Sequence, residues 1–261
     1  MSAVIDPLIS AGLSGQFGIH VKNIFTVSDG YGFSNIAVTK SSSTYTESTL
    51  FYPQNKGEVD VYMYAPYTSG ATTLSAINFT VTSDQSAKSA YLASDFVHGW
   101  NKGTPSYDAG TFTTTYLGIP YNNDGSAVSV GLVHDLSKII LNIQAGSGAS
   151  IAASAVNAVT LGDNDIYTSA TIDITQGAYD VSSTEVKATA NATTKTDDSD
   201  PKATITFADN STSLASVAAI IPPQTVTDKT LNVTIGSTIY TATLSSPFGG
   251  FLAGKIGRAH V

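Results

Sequence analysis

The sequence predicts an all-β protein built as two tandem β-sandwich domains, and three observations carry that prediction. Short segments of alternating apolar and polar residues recur along the chain, with almost no helical periodicity. Turn clusters rich in Gly, Asn, Asp and Pro separate them. The longest apolar run, Val128–Ile143, is dominated by β-branched residues and changes its apolar face part-way. Val128, Val130 and Leu132 alternate in one phase and Ile139, Leu141 and Ile143 in the other, so the face switches across His134–Lys138. One strand does this through a bulge or a bend between two sheets. The run therefore reads as a long central strand opening the second domain, with Asn122–Gly125 as the turn before it.

In chain order, Met1–Gln16 is mixed and glycine-containing and is expected to be poorly ordered. Phe17, Ile19 and Val21 alternate as a strand; Phe33–Thr39 and Thr49–Tyr52 follow as short strands. Glu58–Ala65 is the cleanest half-buried strand of the first half. Val59, Val61, Met63 and Ala65 lie on one face and Glu58, Asp60, Tyr62 and Tyr64 on the other, and Pro66 ends it. Ile77, Phe79 and Val81 form another strand, while periodicity leaves Ala87–Phe96 open between helix and strand. His98–Tyr121 reads as loop with one possible strand. Beyond the central strand come Val156–Leu161, Thr171–Thr175, Ala203–Phe207, Val217–Ile221, Leu231–Ile235 and Thr238–Leu244, the last two joined by a Gly236-Ser237 hairpin turn. Thr189–Pro201 is poor in apolar residues and reads as a long exposed loop. This gives domains at 1–126 and 127–255.

Composition bounds the function. Hydrophobic residues make up 42% of the 261 and charged residues 12%, enough for sizeable cores and typical of secreted or cell-surface β proteins. A net charge of −8 argues against nucleic acid or an anionic membrane as partner. Without cysteine there is no disulfide, thiolate metal site, cysteine nucleophile or lipid-attachment cysteine. No apolar run is long enough to span a bilayer, and Met1–Gly15 lacks the features of a secretion signal. Either the protein is cytoplasmic or a natural leader is missing. Arg258 is the only arginine; Ile256–Val261 matches one reading frame of a common sequencing adapter, and those six residues are expected to be foreign to the protein.

No motif carries a specific reaction. His134-Asp135 lacks a serine in a nucleophile turn, so His134 is expected to bridge backbone groups where the strand changes face. Asp163-Asn164-Asp165 resembles the start of a calcium loop but lacks its later glycine and glutamate, which leaves a β-turn as the stronger reading. Tyr62, Tyr64, Tyr67, Trp100, Tyr107, Tyr116 and Tyr121 are candidate platforms for sugar rings, or ordinary strand tyrosines. Sequons at Asn78, Asn191, Asn210 and Asn232 matter only in a eukaryotic secretory pathway. No catalytic, cofactor or metal residue is assigned, and ligand-binding residues stay open.

Several short stretches carry a family resemblance. Ala219–Thr225 (AIIPPQT), Leu231–Gly236 (LNVTIG), Tyr240–Leu244 (YTATL) and Ala253–Lys255 (AGK) together look like the C-terminal domain of the Bacteroidales fimbrillins, the FimA-type and Mfa-like surface pilins. Val133–Ile139 (VHDLSKI) is similar to the strand that opens that domain. Tyr52-Pro53 with Val59–Tyr67 (VDVYMYAPY) resembles an N-terminal family motif, as do Asp84-Gln85-Ser86 and Ser94-Asp95. The resemblance spans about Phe17 to Lys255 and implies transthyretin-like, Greek-key sandwiches. It further implies a non-enzymatic stalk, anchor or tip subunit of a surface fimbria. Such a subunit would need no cofactor, would join other subunits through donor-strand contacts, and would meet host proteins or glycans. The alternative is a non-polymerising surface module that binds glycan. The family's acylated cysteine and arginine cleavage site are missing, and its strands continue past the AGK. The chain is therefore expected to be a fragment cut at both ends, unable to donate its own terminal strand.

Overall fold

The computed structural model describes residues 16–23, 32–41, 44–45, 59–101, 132–144, 147, 152, 155–175, 177–180, 185–188, 190–209, 216–227, 230–244 and 256–260. Its early strands are β1 (Gln16–Asn23), β2 (Gly32–Ser41), β3 (Thr44–Tyr45), β4 (Val59–Ala65) and β5 (Ile77–Thr80). A six-residue helix, α1 (Lys88–Ala93), precedes β6 (Val97–Asn101), β7 (Leu132–His134) and β8 (Ser137–Asn142). Then come β9 (Val156–Tyr167), β10 (Ser169–Ile172), β11 (Gly177–Asp180), β12 (Glu185–Ala188), β13 (Ala192–Thr194) and β14 (Lys202–Thr206). The last are β15 (Ala208–Asp209), β16 (Ser216–Ile221), β17 (Thr230–Ile235), β18 (Thr238–Thr243) and β19 (Ile256–His260). The fold is all-β, as the alternation predicts.

The chain forms two compact units, each assembled from three stretches. The first takes Met1–Ile77, Phe96–Val133 and Asp173–Asn191; the second takes Asn78–Asp95, His134–Ile172 and Ala192–Val261. This differs from a single crossing at Asn122–Ser126, which lies outside the described residues. The interleaving has a local cause: Ser83–Gln85 pairs by its backbone with Thr206, so the segment before α1 belongs to the second unit.

The first unit carries a six-stranded sheet in the order β3-β2-β1-β4-β6-β7. Phe17, Val38, Ala65 and Val97 form a core on it, with Ile19, Ile36, Met63 and Leu132 packed against them. In the second unit two four-stranded sheets, β14-β9-β17-β18 and β15-β16-β8-β19, share one core. Ile139 and Leu141 of β8 and Val217, Ala219 and Ile221 of β16 come from one sheet. Val159, Leu161, Ile166, Leu231 and Val233 come from the other, so this unit is a β-sandwich. A third sheet, β13-β10-β5, runs through Thr171 and Thr193.

The described part of the central run resolves into β7 and β8, which belong to different sheets. The change of face falls at buried Asp135-Leu136, where the chain leaves one sheet for the other. Ser137, Ile139 and Leu141 then turn inward while Lys138, Ile140 and Asn142 are half-buried. The Gly236-Ser237 hairpin turn is present, with Gly236 at φ 60°, a conformation glycine adopts at little steric cost. One open reading is resolved and one expectation changes. Ala87–Phe96 holds a helix, which α1 closes as Ser94 Oγ donates back to the Ala90 carbonyl at 2.9 Å. Thr189–Pro201 is not wholly loop, because Ala192–Thr194 pairs with β10 through its backbone. Ile256–His260 lies as a parallel strand along β8, with Ile256 opposite Lys138 and His260 opposite Asn142.

Candidate functional site

Several of the residues that carry the family resemblance make buried or half-buried polar contacts within the second unit, together termed the clamp. Gln85 is fully buried, and its amide behaves like one residue of a neighbouring strand. Its Oε1 accepts the Ile220 N–H at 2.9 Å, and its Nε2 donates to the Ile220 carbonyl at 2.7 Å and to the Thr82 carbonyl at 2.9 Å. The two-residue β15 reaches only Ala218 and Val217 of β16, so Gln85 serves the backbone of Ile220 beyond it. Gln224 repeats the device on Tyr167 of β9, accepting its N–H at 3.0 Å and donating to its carbonyl at 2.8 Å. Asp84 makes a tight turn by accepting from the Ser86 hydroxyl and N–H, which hold its carboxyl below the usual range. Ser94 Oγ accepts the Thr82 N–H at 3.1 Å, tying α1 to the strand before it.

Asp95 and His134 close the clamp. His134 Nδ1 donates to Asp95 Oδ2 at 2.8 Å, with Asp95 5% and His134 25% exposed. His134 thus meets a carboxylate 39 residues earlier, where backbone groups were expected. Removing the ring leaves that carboxylate short of a donor. His134→Ala is expected to lower stability by about 1–3 kcal/mol, read as a lower midpoint in urea; an unchanged midpoint would refute a structural role for the pair.

The other candidates fall apart as sites. Asp163-Asn164-Asp165 lies inside β9 at a wide bulge, where the register jumps from Leu161↔Ile205 to Ile166↔Ala203. Asn164 stands at φ 57° with its N–H on Thr204 Oγ1 at 3.0 Å, and Asp165 meets Lys202 Nζ at 3.4 Å. The motif is therefore a bulge where a β-turn was the stronger reading. Among the described residues, no three acidic or histidine groups are placed to share a metal. Tyr62 and Tyr64 are buried and offer no sugar platform, which corrects the half-solvated reading of β4. Gly18 lies directly opposite Tyr64, and the Tyr64 ring fills the place where a Cβ on Gly18 would stand. Tyr67 is half-buried; Tyr107, Tyr116, Tyr121 and the Trp100 side chain lie outside the described residues.

The exposed feature is an edge. β18 ends its sheet, and all six of its residues are exposed on both faces. Its register sets Tyr240 opposite Val233 and Ala242 opposite Leu231, the two buried residues of β17. Tyr240 therefore stands on the core side of the sheet yet is 57% exposed, and Ile239 on the other side is 64% exposed. These are the large hydrophobic side chains exposed among the described residues. β18 carries no charge, proline or bulge, the devices that usually protect an edge. The β8 edge, by contrast, is filled by β19. Among the described residues no helix is long and apolar enough to cross a membrane.

The described residues thus give an all-β chain with a sandwich unit, a polar clamp and an exposed edge strand. The profile of the fimbrillin-like family matches residues 14–257, and the chain belongs to that family. Among solved structures, a candidate cell adhesion protein of Bacteroides uniformis aligns with TM-score 0.62 at 16% identity, over 95% of this chain and 86% of its own. A second, from Bacteroides ovatus, gives 0.59 at 18%, over 96% and 82%. A fimbrial protein from Bacteroides ovatus gives 0.51 at 14%, over 95% of this chain and 43% of that one. These likenesses concern the fold. No curated protein matches in sequence.

Proposed function

We propose that this chain is a non-enzymatic structural subunit of a bacterial surface fimbria that serves adhesion, joined to neighbouring subunits by β-strand exchange. Membership of the fimbrillin-like family supports the fimbrial part. The observation that carries the assembly part is the uncovered edge at β18, whose apolar Ile239 and Tyr240 face solvent on opposite sides. An extended segment laid along β18 continues the ladder and covers one or both side chains. Burying two of this size contributes roughly 3–6 kcal/mol before ordering costs. Identical head-to-tail contacts of this kind run into filaments where the rotation between subunits does not close a ring.

The test uses the full-length gene product. Wild type is expected to form SDS-resistant multimers, visible as filaments by negative-stain microscopy. The double substitution Ile239→Lys with Tyr240→Lys is expected to abolish them while leaving the thermal midpoint of the monomer within about 1 °C, as for surface changes. Multimers that persist unchanged in the double variant would end the β18 reading. A full-length protein that stays monomeric under every maturation condition would leave a non-polymerising surface module in its place.

A further inference from the structure

His20 of β1 sits at the one irregular step of the β1–β2 ladder. The register passes from Ile19↔Ile36 to Val21↔Phe33, so Ser34 and Asn35 together oppose His20. Such a bulge leaves a backbone N–H without a ladder partner. Here the Asn35 N–H donates to His20 Nδ1 at 3.0 Å, with Ser34 Oγ at 3.4 Å from the same atom. Asn35 is held at φ 54°, in the left-handed region. Its side chain then ties the bulge to the next turn: Nδ2 donates to the Thr68 carbonyl at 2.8 Å, and Oδ1 accepts from the Tyr64 hydroxyl. Accepting at Nδ1 fixes the tautomer with the proton on Nε2, which is buried and finds no hydrogen-bond partner among the described residues.

We propose that the His20–Asn35 contact is an acid-sensitive latch: protonation of His20 ejects the bulge N–H and frees Asn35 from the Thr68 turn. The imidazolium would carry hydrogen on both nitrogens, so Nδ1 could no longer accept. Nothing described compensates the charge. From β2 come Ser34 and Asn35, both neutral. From β4 comes Tyr62 in register with His20, and Tyr64 with its ring centroid 6.1 Å away. Burial, first of several causes, pushes the Tyr64 hydroxyl up, so it offers no anion. Phe96 stacks on Tyr64 beyond. Two positions along, Lys22 stands in backbone register with Asp60.

Burial of the ring, at 3% exposure, lowers its pKa below the ordinary 6.5. Between the native and unfolded values the native state binds fewer protons, so stability rises with pH there. The contribution is fully present above about 6.5 and is lost as pH falls through the native value.

The experiment combines NMR titration of the histidine ring signals with amide hydrogen exchange, corrected for intrinsic rates, from pH 7.5 to 4.5. In the wild type His20 is expected to titrate below the free value, with a several-fold loss of protection at Asn35 and Thr68–Gly70 in step with it. His20→Asn places an amide oxygen where Nδ1 was, an acceptor that does not titrate, and should hold that protection across the range. If His20→Asn loses protection as the wild type does, or if the wild-type ring titrates at or above about 6.5 with protection retained, the latch is refuted. The wild-type titration decides alone should the variant not fold.

Discussion

Gln85→Leu is expected to destabilise the second unit by about 2–6 kcal/mol, because two buried backbone groups lose partners at once at about 1–3 kcal/mol each, and a third, part-buried one loses its partner with them. The groups are the Ile220 N–H, the Ile220 carbonyl and the Thr82 carbonyl. Leucine fills much of the same volume, so the loss reports hydrogen bonding and not a cavity. Against a native stability of about 5–15 kcal/mol, it threatens folding at moderate temperature. Gln224→Leu removes the matching bonds to Tyr167 at a half-buried site that water can reach, and about 1–2 kcal/mol is expected there. Urea unfolding of both variants would show the ranking. Equal, small shifts would mean that the Gln85 amide does not hold the β16 edge.

These two glutamines also mark where the sequence was readable and where it was not. Alternation located β1, β4, β8 and β17 because each buries at least part of one face, and period two is the direct signature of that; β16 is an unbroken apolar run, buried on both faces. The switch of phase after Leu132 was visible for the same reason, and it falls where the chain changes sheets. Alternation could not reveal that β4 buries Tyr62 and Tyr64 as well, because it presumes one wet face. Nor could it find β13, whose three residues pair through backbone groups and carry no apolar stripe. Contacts between distant residues leave no periodic trace. Asp95 stood out only as a fragment of a family motif and His134 also through its neighbour Asp135, and the pairing of the two is a product of the fold. Gln85 and Gln224 lay in quoted motifs, and a neutral amide beside strand residues, Gln224 next to a Pro-Pro turn, was the available signal for a backbone-pairing side chain.

The Gly18–Tyr64 contact predicts a reversal of sign between two backgrounds. Gly18 lies within an ordinary strand, so alanine there would normally add about 0.5–1 kcal/mol of stability. In this protein a Cβ on Gly18 would overlap the Tyr64 ring at Cε1 and Cζ. A long flexible side chain could swing aside, but this ring is fixed at both ends. It stacks on Phe96 with centroids 5.6 Å apart, and its hydroxyl is held by Asn35 and the Thr68 carbonyl. Displacing it gives up those bonds in addition to the overpacking strain, so Gly18→Ala is expected to cost about 2–4 kcal/mol. With Tyr64→Ala already in place, the obstacle is gone. The same Gly18→Ala change should then be neutral or stabilising by a few tenths of a kcal/mol. A double-mutant cycle read by thermal and urea unfolding isolates the coupling. An equal cost for Gly18→Ala in both backgrounds would show that the ring yields freely and that the glycine is kept for some other reason.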